Sequence, residues 1–290
     1  MSTENRMKEK IQPLINYFDD LKQISFVVTH SADYFKASEH ACDVSHIHDV
    51  CEIYLNGSGN VSFVVENAVY PVSRGDLIIT RPDEFHHCVY HEDGVCEHYC
   101  MWIDGAPKNL LRAFFERQSG EKNLISANKE QKERLIGCFN VLKNAGEVLS
   151  LEALKAFVEI LSIIDENRNS DCVKVAVPDL LIRITEYIDE NFDSDCSVEN
   201  LCKRFFISRS TLCRLFRANL TTTPSKYVTS RRLSQAKKML KSGCSVGDTC
   251  FSCGFTDYSH FIALFRERCG VTPMKYARTR SDESDRTVGR

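Results

Sequence analysis

No stretch of this 290-residue chain stays apolar for the roughly 20 residues that a bilayer-spanning helix needs, which weighs against an integral helical membrane protein. Residues Met1 to Lys10 are polar and lack the hydrophobic core of a secretory signal, so a cytoplasmic protein is expected. Tryptophan occurs once, at Trp102. Cysteine is plentiful at 14 residues, but Cys250-x-x-Cys253 has no second pair at zinc-finger distance. Most of the others, such as Cys202 and Cys213, sit at apolar positions where a thiol packs as a small hydrophobe. Acidic residues nearly vanish from one region. Between Leu201 and Arg280 there are three, Asp248, Asp257 and Glu267, against 16 Lys or Arg, a net of +13. Residues 1–177 carry 18 basic and 27 acidic side chains, a net of −9, so the overall charge of −3 hides a division into two halves. A basic half of this kind is the electrostatic footprint of a nucleic-acid binder.

That basic region contains one block twice. Leu215-Phe216-Arg217 followed by Thr223-Pro224-x-Lys226-Tyr227 returns as Leu264-Phe265-Arg266 followed by Thr272-Pro273-x-Lys275-Tyr276, 49 positions on. Upstream, Ser197-Val198 and Cys202 return as Ser245-Val246 and Cys250 at a spacing of 48, so the second copy has one extra residue near Asp257. Each copy reads as two short helices and a turn. Ser245-x-x-Asp248 suits a capping box, Gly254 can take positive φ, and Thr256 or Asp257 can cap the second helix. Phe261, Leu264 and Phe265 then form a buried stripe, matched in the first copy by Leu212, Leu215 and Phe216 behind the cap Ser208. Pro224 starts a joining helix through Tyr227, Leu233, Ala236 and Leu240 that would hold the two units at a fixed separation.

The run Ser245-Val-Gly-Asp-Thr-Cys-Phe-Ser-Cys-Gly254-Phe255-Thr-Asp257-Tyr-Ser259-His-Phe261-Ile-Ala-Leu-Phe265-Arg266, with Gly270-Val-Thr272-Pro273 and Tyr276, resembles the signature of AraC/XylS transcriptional regulators. The resemblance covers roughly residues 180–279 and implies two recognition helices entering successive major grooves on one face of promoter DNA. On the first helix, Arg209, Ser210, Thr211, Cys213, Arg214 and Arg217 are the expected DNA contacts; on the second, Tyr258, Ser259, His260, Ile262 and Arg266. Two departures stand out. The family commonly has arginine where this chain has Ala263, and glycine in the first turn where it has Phe206.

The acidic half changes character. Short apolar stretches at Ser25 to Thr29, Glu52 to Leu55, Val61 to Glu66, Leu77 to Thr80 and Cys96 to Ile103 alternate with Gly, Asn, Asp and Pro turns, which predicts antiparallel strands in a small barrel or jelly roll. From Pro107 the pattern turns helical, first through Leu110, Leu111, Phe114 and Phe115, then Leu135, Phe139 and Leu142, then Leu151 to Ile164. The expected organisation is α+β. A cupin-like sensing and dimerisation domain spans 1–167, a linker 168–177, a double helix-turn-helix domain 178–280, and a disordered charged tail 281–290.

Eight of nine histidines lie between His30 and His98. His46-x-His48-x-x-x-Glu52, then Gly75-Asp76 and His86, is similar to cupin motifs, and residues two apart on a strand share a face. His46, His48, Glu52 and His86 therefore read as polar groups of an effector pocket, with Trp102 as a wall, or as the ligands of a divalent metal. For His30, His40, His87, His91 and His98 a structural role is expected. The reading is a transcription regulator, not an enzyme, whose barrel senses a small molecule such as a sugar or related metabolite. No obligate cofactor is expected; the partners are promoter DNA, a second copy of the chain and RNA polymerase, with no membrane. The competing reading is a cupin metalloenzyme or metal sensor fused to a DNA-binding module.

Overall fold

The structure, a computed structural model, describes residues 24–35, 48–145, 150–170, 175 and 177–278. They form two compact units, one ending at residue 176 and the other starting at 177. Within the first, strands β1 (Ser25–Phe35), β7 (Gly94–Asp104), β2 (Cys51–Asn56), β5 (Leu77–Thr80) and β8 (Leu124–Ile125) make an antiparallel sheet in that order. A second sheet has the order β4 (Ala68–Val72), β3 (Val61–Val65), β6 (His86–Tyr90). This is the jelly-roll arrangement that the apolar stretches predict, and β4, β6 and β8 are strands additional to them. Tyr54, Phe63, Tyr70 and Ile78 pack between the sheets.

The outer face of the five-stranded sheet is covered by helices. The segment after Pro107 forms one short helix, α1 (Arg112–Phe115), so the helical expectation for Leu110 and Leu111 is corrected: Pro107 and the turns that follow it leave these residues outside the helix. Helix α2 (Lys129–Asn144) opens with a capping box between Asn128 and Gln131, and α3 (Leu151–Asn167) is capped by Ser150. Leu135 and Phe139 of α2 and Ala156, Phe157 and Ile160 of α3 bury against Ile53, Leu55, Tyr99 and Met101. Phe157 stacks on Phe26 of β1 at 4.4 Å between ring centres.

One buried ion pair ties this unit together. Glu84, 1% exposed, sits in the β5–β6 connection. Arg117 grips both of its oxygens, at 2.7 and 2.6 Å. The backbone N–H groups of Arg81 and Gly120 and the Asn123 amide donate to the same carboxylate. Arg117 also donates to the carbonyls of Ile79 and Glu121, so the pair joins β5 to the 117–123 loop.

In the second unit, α4 (Asp179–Glu190) precedes α5 (Val198–Phe205), α6 (Arg209–Leu220), α7 (Pro224–Lys241), α8 (Val246–Ser252), α9 (Tyr258–Cys269) and α10 (Pro273–Arg278). Helix α7 begins at Pro224 behind its cap Thr223 and packs against α6, α8 and α10, which makes it the strut between the two helix pairs. Two arginines of α7 are structural. Arg231 forms a two-pronged pair with Asp189 at 2.6 Å per contact, and Arg232 donates to the carbonyls of Phe192 and Ser194. The expected tail 281–290 lies outside the described residues.

Replacing Arg117 with Ala strands a buried carboxylate, and we expect a loss of about 3–5 kcal/mol in urea unfolding. Burial alone would raise the Glu84 pKa, but the Arg117 guanidinium and the backbone donors hold it below the ordinary carboxylate value. The pair's stabilisation is therefore complete above the unfolded carboxylate pKa of about 4.3 and disappears as pH falls through the lower folded value. Unfolding midpoints of wild type and Arg117→Ala should converge in acid and diverge toward neutrality.

Candidate ligand site and nucleic-acid interface

The barrel brings three of the four expected polar residues together. His48 precedes β2, Glu52 lies on β2 and His86 opens β6, so the group bridges the two sheets. One Glu52 oxygen lies 2.8 Å from His48 Nε2 and 3.0 Å from His86 Nε2. Glu52 is 4% exposed and His86 1%, whereas the His48 side chain is 27% exposed, so His48 is the member nearest the surface, with its Nε2 itself shielded. Both histidines are held from behind. Asp83 N–H donates to the His48 carbonyl, and His86 Nδ1 donates to the Glu84 carbonyl at 2.8 Å. His46 lies outside the described residues.

The electrostatics are those of a buried cation–carboxylate group. Burial works against the Glu52 charge, yet hydrogen bonds from His48 and His86 hold its pKa well below the ordinary carboxylate value. Burial likewise favours neutral His86, and contact with Glu52 raises its pKa above the histidine norm. Trp102 is the cross-strand partner of Glu52, and its ring meets His48 edge-on at 5.8 Å between centres. That places the expected wall beside the polar group.

Cys96 and Cys100 line the same face and have no reading in the sequence. Cys96, His98, Cys100 and Trp102 alternate along β7, and this period of two was the signal that could have found them. Cys100 hydrogen-bonds Glu52, and burial pushes its thiol well above the usual range. His98 stacks on Tyr54 at 5.3 Å, and burial holds its ring pKa low. The histidines expected to be structural have partners in the barrel: His30 pairs with Glu97, His91 with Ser62, and His87 packs against Phe85. His40 lies outside the described residues. Asp76 pairs with Lys132 of α2 at 2.8 Å and stands apart from the Glu52 group.

In the second unit the two expected recognition helices present unequal faces. On α6, Leu212 and Phe216 are fully buried, which turns Arg209, Ser210, Arg214 and Arg217 outward. Thr211 is half-buried, with its hydroxyl against that of the cap Ser208, and Cys213 is half-buried. Arg209 makes an exposed contact with Glu199. On α9, Phe261 and Phe265 are buried, and Tyr258, Ser259, His260, Ala263 and Arg266 face outward. Ile262, expected at the DNA face, packs half-buried against the core of the second helix pair. Cys250 and Cys253 are fully buried in that core, where burial raises the Cys253 pKa to about 12.

The turns differ as well. Asp257 caps α9, so the extra residue of the second copy falls in its turn. Gly254 takes φ +77°, and a Cβ there would lie 2.7 Å from the Asp193 carbonyl oxygen. At the equivalent place, Phe206 adopts the left-handed conformation with φ 54° and is 94% exposed.

A family profile described as an AraC-like ligand binding domain matches residues 33–168, and one described as a helix-turn-helix domain matches residues 201–279. The HTH-type transcriptional activator RhaS of Escherichia fergusonii is 26% identical over 273 residues, which is 85% of this chain and 95% of that protein. RhaS of Salmonella arizonae is 24% identical over 271 residues, with the same shares. Among solved structures, unsaturated fatty acid bound ToxT from Vibrio cholerae aligns over 88% of this chain and 94% of its own, at 15% identity and a TM-score of 0.37.

The two turns should respond oppositely to substitution. Phe206→Gly removes a left-handed side chain that packs on nothing and should stabilise by about 0.5–1 kcal/mol, the backbone gain less the glycine entropy. Gly254→Ala meets both the φ penalty and the Asp193 carbonyl, and should destabilise by about 1–3 kcal/mol. Thermal melts of the two variants decide this.

Proposed function

The chain belongs to the AraC/XylS family of transcriptional regulators, and from that premise we propose that its barrel binds a small-molecule effector at the Glu52 group while α6 and α9 read promoter DNA. The observation that carries the reading is the presence of two helices with outward-facing polar faces, each backed by a buried Phe-containing stripe, alongside a barrel that holds a buried polar group whose His48 ring reaches the surface. His48, Glu52, His86 and Trp102 are the proposed effector contacts. The relatives that match along 95% of their length are named transcriptional activators, and we carry that role over as a proposal, with RNA polymerase as the further partner. The proposed regulator acts by binding without turnover, in the cytoplasm; no helix among the described residues is long and apolar enough to cross a membrane.

We also propose a homodimer through α3. Leu151, Leu154 and Val158 lie at helical spacing on it and are 68%, 41% and 52% exposed, an apolar stripe on a helix whose opposite face already fills the core.

Within the DNA-binding unit, the first helix is the proposed base reader. Arg214 is exposed, forms no ion pair among the described residues, and suits two-pronged recognition of guanine. The second helix carries Ala263 at the corresponding place, and the second copy contributes backbone anchoring through Arg266 and Arg268 of α9 and Lys275 of α10.

These readings have separate tests. Against operator variants at fixed salt, Arg214→Ala should lose about 1–3 kcal/mol of discrimination at one base-pair position. Arg266→Ala should weaken all sequences alike and lower the salt slope. Equal weakening by Arg214→Ala, with sequence preference lost instead on substitution of Tyr258 or Ser259, reverses the assignment. For association, wild-type protein should sediment as a dimer at micromolar concentration and Val158→Glu as a folded monomer; a monomeric wild type overturns the α3 interface.

A further inference from the structure

His86 poses a question of hydrogen-bond valence. Its Nδ1 lies 2.8 Å from the Glu84 carbonyl oxygen, which can only accept, so Nδ1 carries the proton. The other nitrogen, Nε2, faces a Glu52 oxygen at 3.0 Å, and the His48 Nε2 approaches the same oxygen at 2.8 Å. A neutral ring with its proton on Nδ1 would aim a lone pair at a carboxylate. Either a second proton or a cation must lie between them.

We infer that the effector held by His48, Glu52 and His86 is a divalent transition-metal ion of the zinc class. This rests on the regulator reading and narrows it to one class of ligand. Their donor atoms lie within 4.8 Å of one another, and among the described residues these three form the group of histidine, cysteine and carboxylate side chains so gathered. Two imidazoles and a carboxylate are a common three-ligand zinc set that leaves a fourth position for water or another donor. Cation-binding sites for calcium or magnesium are built from oxygen ligands, so two nitrogens favour a transition metal. The surroundings suit the role. The Nδ1–H bond to Glu84 orients His86 as an outer partner orients a metal-bound histidine, and Arg117 holds Glu84 in turn. His48 is the accessible member through which an ion would enter, being 27% exposed against 1% for His86. In the metal-loaded form Nε2 of each ring turns its lone pair to the ion, and the proton displaced from the His86–Glu52 contact leaves to solvent.

The test uses the full-length chain after chelation and dialysis. Zinc chloride is titrated with thermal unfolding and metal content as readouts, and magnesium chloride serves as a control. Wild type should gain about one zinc per chain relative to Glu52→Gln, and its melting midpoint should rise with zinc but not with magnesium. His48→Gln, at the open rim, gives a second comparison should Glu52→Gln fold poorly, and should show the same deficit. Equal zinc uptake and equal midpoint shifts in wild type and His48→Gln would place the metal on other cysteines and histidines and overturn the inference. Binding to a duplex selected by the wild-type chain from a random library is measured in parallel. Duplex binding that persists while zinc has no site-dependent effect removes the metal alone; absence of any selected duplex counts against the regulator reading, and the zinc titration still stands by itself.

Discussion

The buried pair of Arg117 with Glu84 is the interaction on which the barrel most depends. A carboxylate that is 1% exposed is tolerable only if every lone pair is met, and six groups converge on this one, two from the guanidinium, two from the backbone, one from Asn123 and one from Ser119. The consequence reaches the proposed ligand site. With its side chain clamped, Glu84 presents its own carbonyl to His86, and that contact sets which ring nitrogen faces Glu52. One residue thus serves two places, its side chain bracing the fold and its main chain orienting His86 in the proposed site.

In the basic unit the governing constraint is the depth of one helical stripe. Leu212 and Phe216 on α6, and Phe261 and Phe265 on α9, have no exposure, so the opposite faces must look outward whatever residues they carry. The repeat consequently keeps apolar side chains at the core positions, Leu212 against Phe261 and Phe216 against Phe265, and is loose on the surface: α6 shows Arg214 where α9 shows Ala263. Net charge alone overstates the DNA-facing surface. Arg231 and Arg232 belong to the sum of basic residues, but they join α7 to Asp189 and to the carbonyls of Phe192 and Ser194.

The same logic explains the two turns. Gly254 is enforced by a main-chain neighbour 2.7 Å from its missing Cβ, whereas Phe206 points into open solvent, so only the local backbone penalty opposes it. Tertiary proximity, not the turn itself, makes one position obligatory and leaves the other permissive.

Much was determined by local pattern. The duplicated block, its serine and aspartate caps, Pro224 at a helix start and the burial of each Phe stripe follow from spacing, because helical periodicity and capping act over three or four residues. Strands β4 and β6 were not read: Ala68-Val-Tyr-Pro-Val72 contains a proline and His86-His-Cys-Val-Tyr90 opens on polar residues, and both become strands through pairing with β3. Spacing also proposes that His46, His48, Glu52 and His86 converge, which the described residues His48, Glu52 and His86 do, but it supplies neither the approach of both rings to one oxygen nor the contact of Cys100 with Glu52. Only tertiary structure decided that Glu84 and Arg117, 33 residues apart and outside any motif, form the buried brace behind the site. Contacts between distant segments depend on how the sheets close, and no local periodicity encodes that closure.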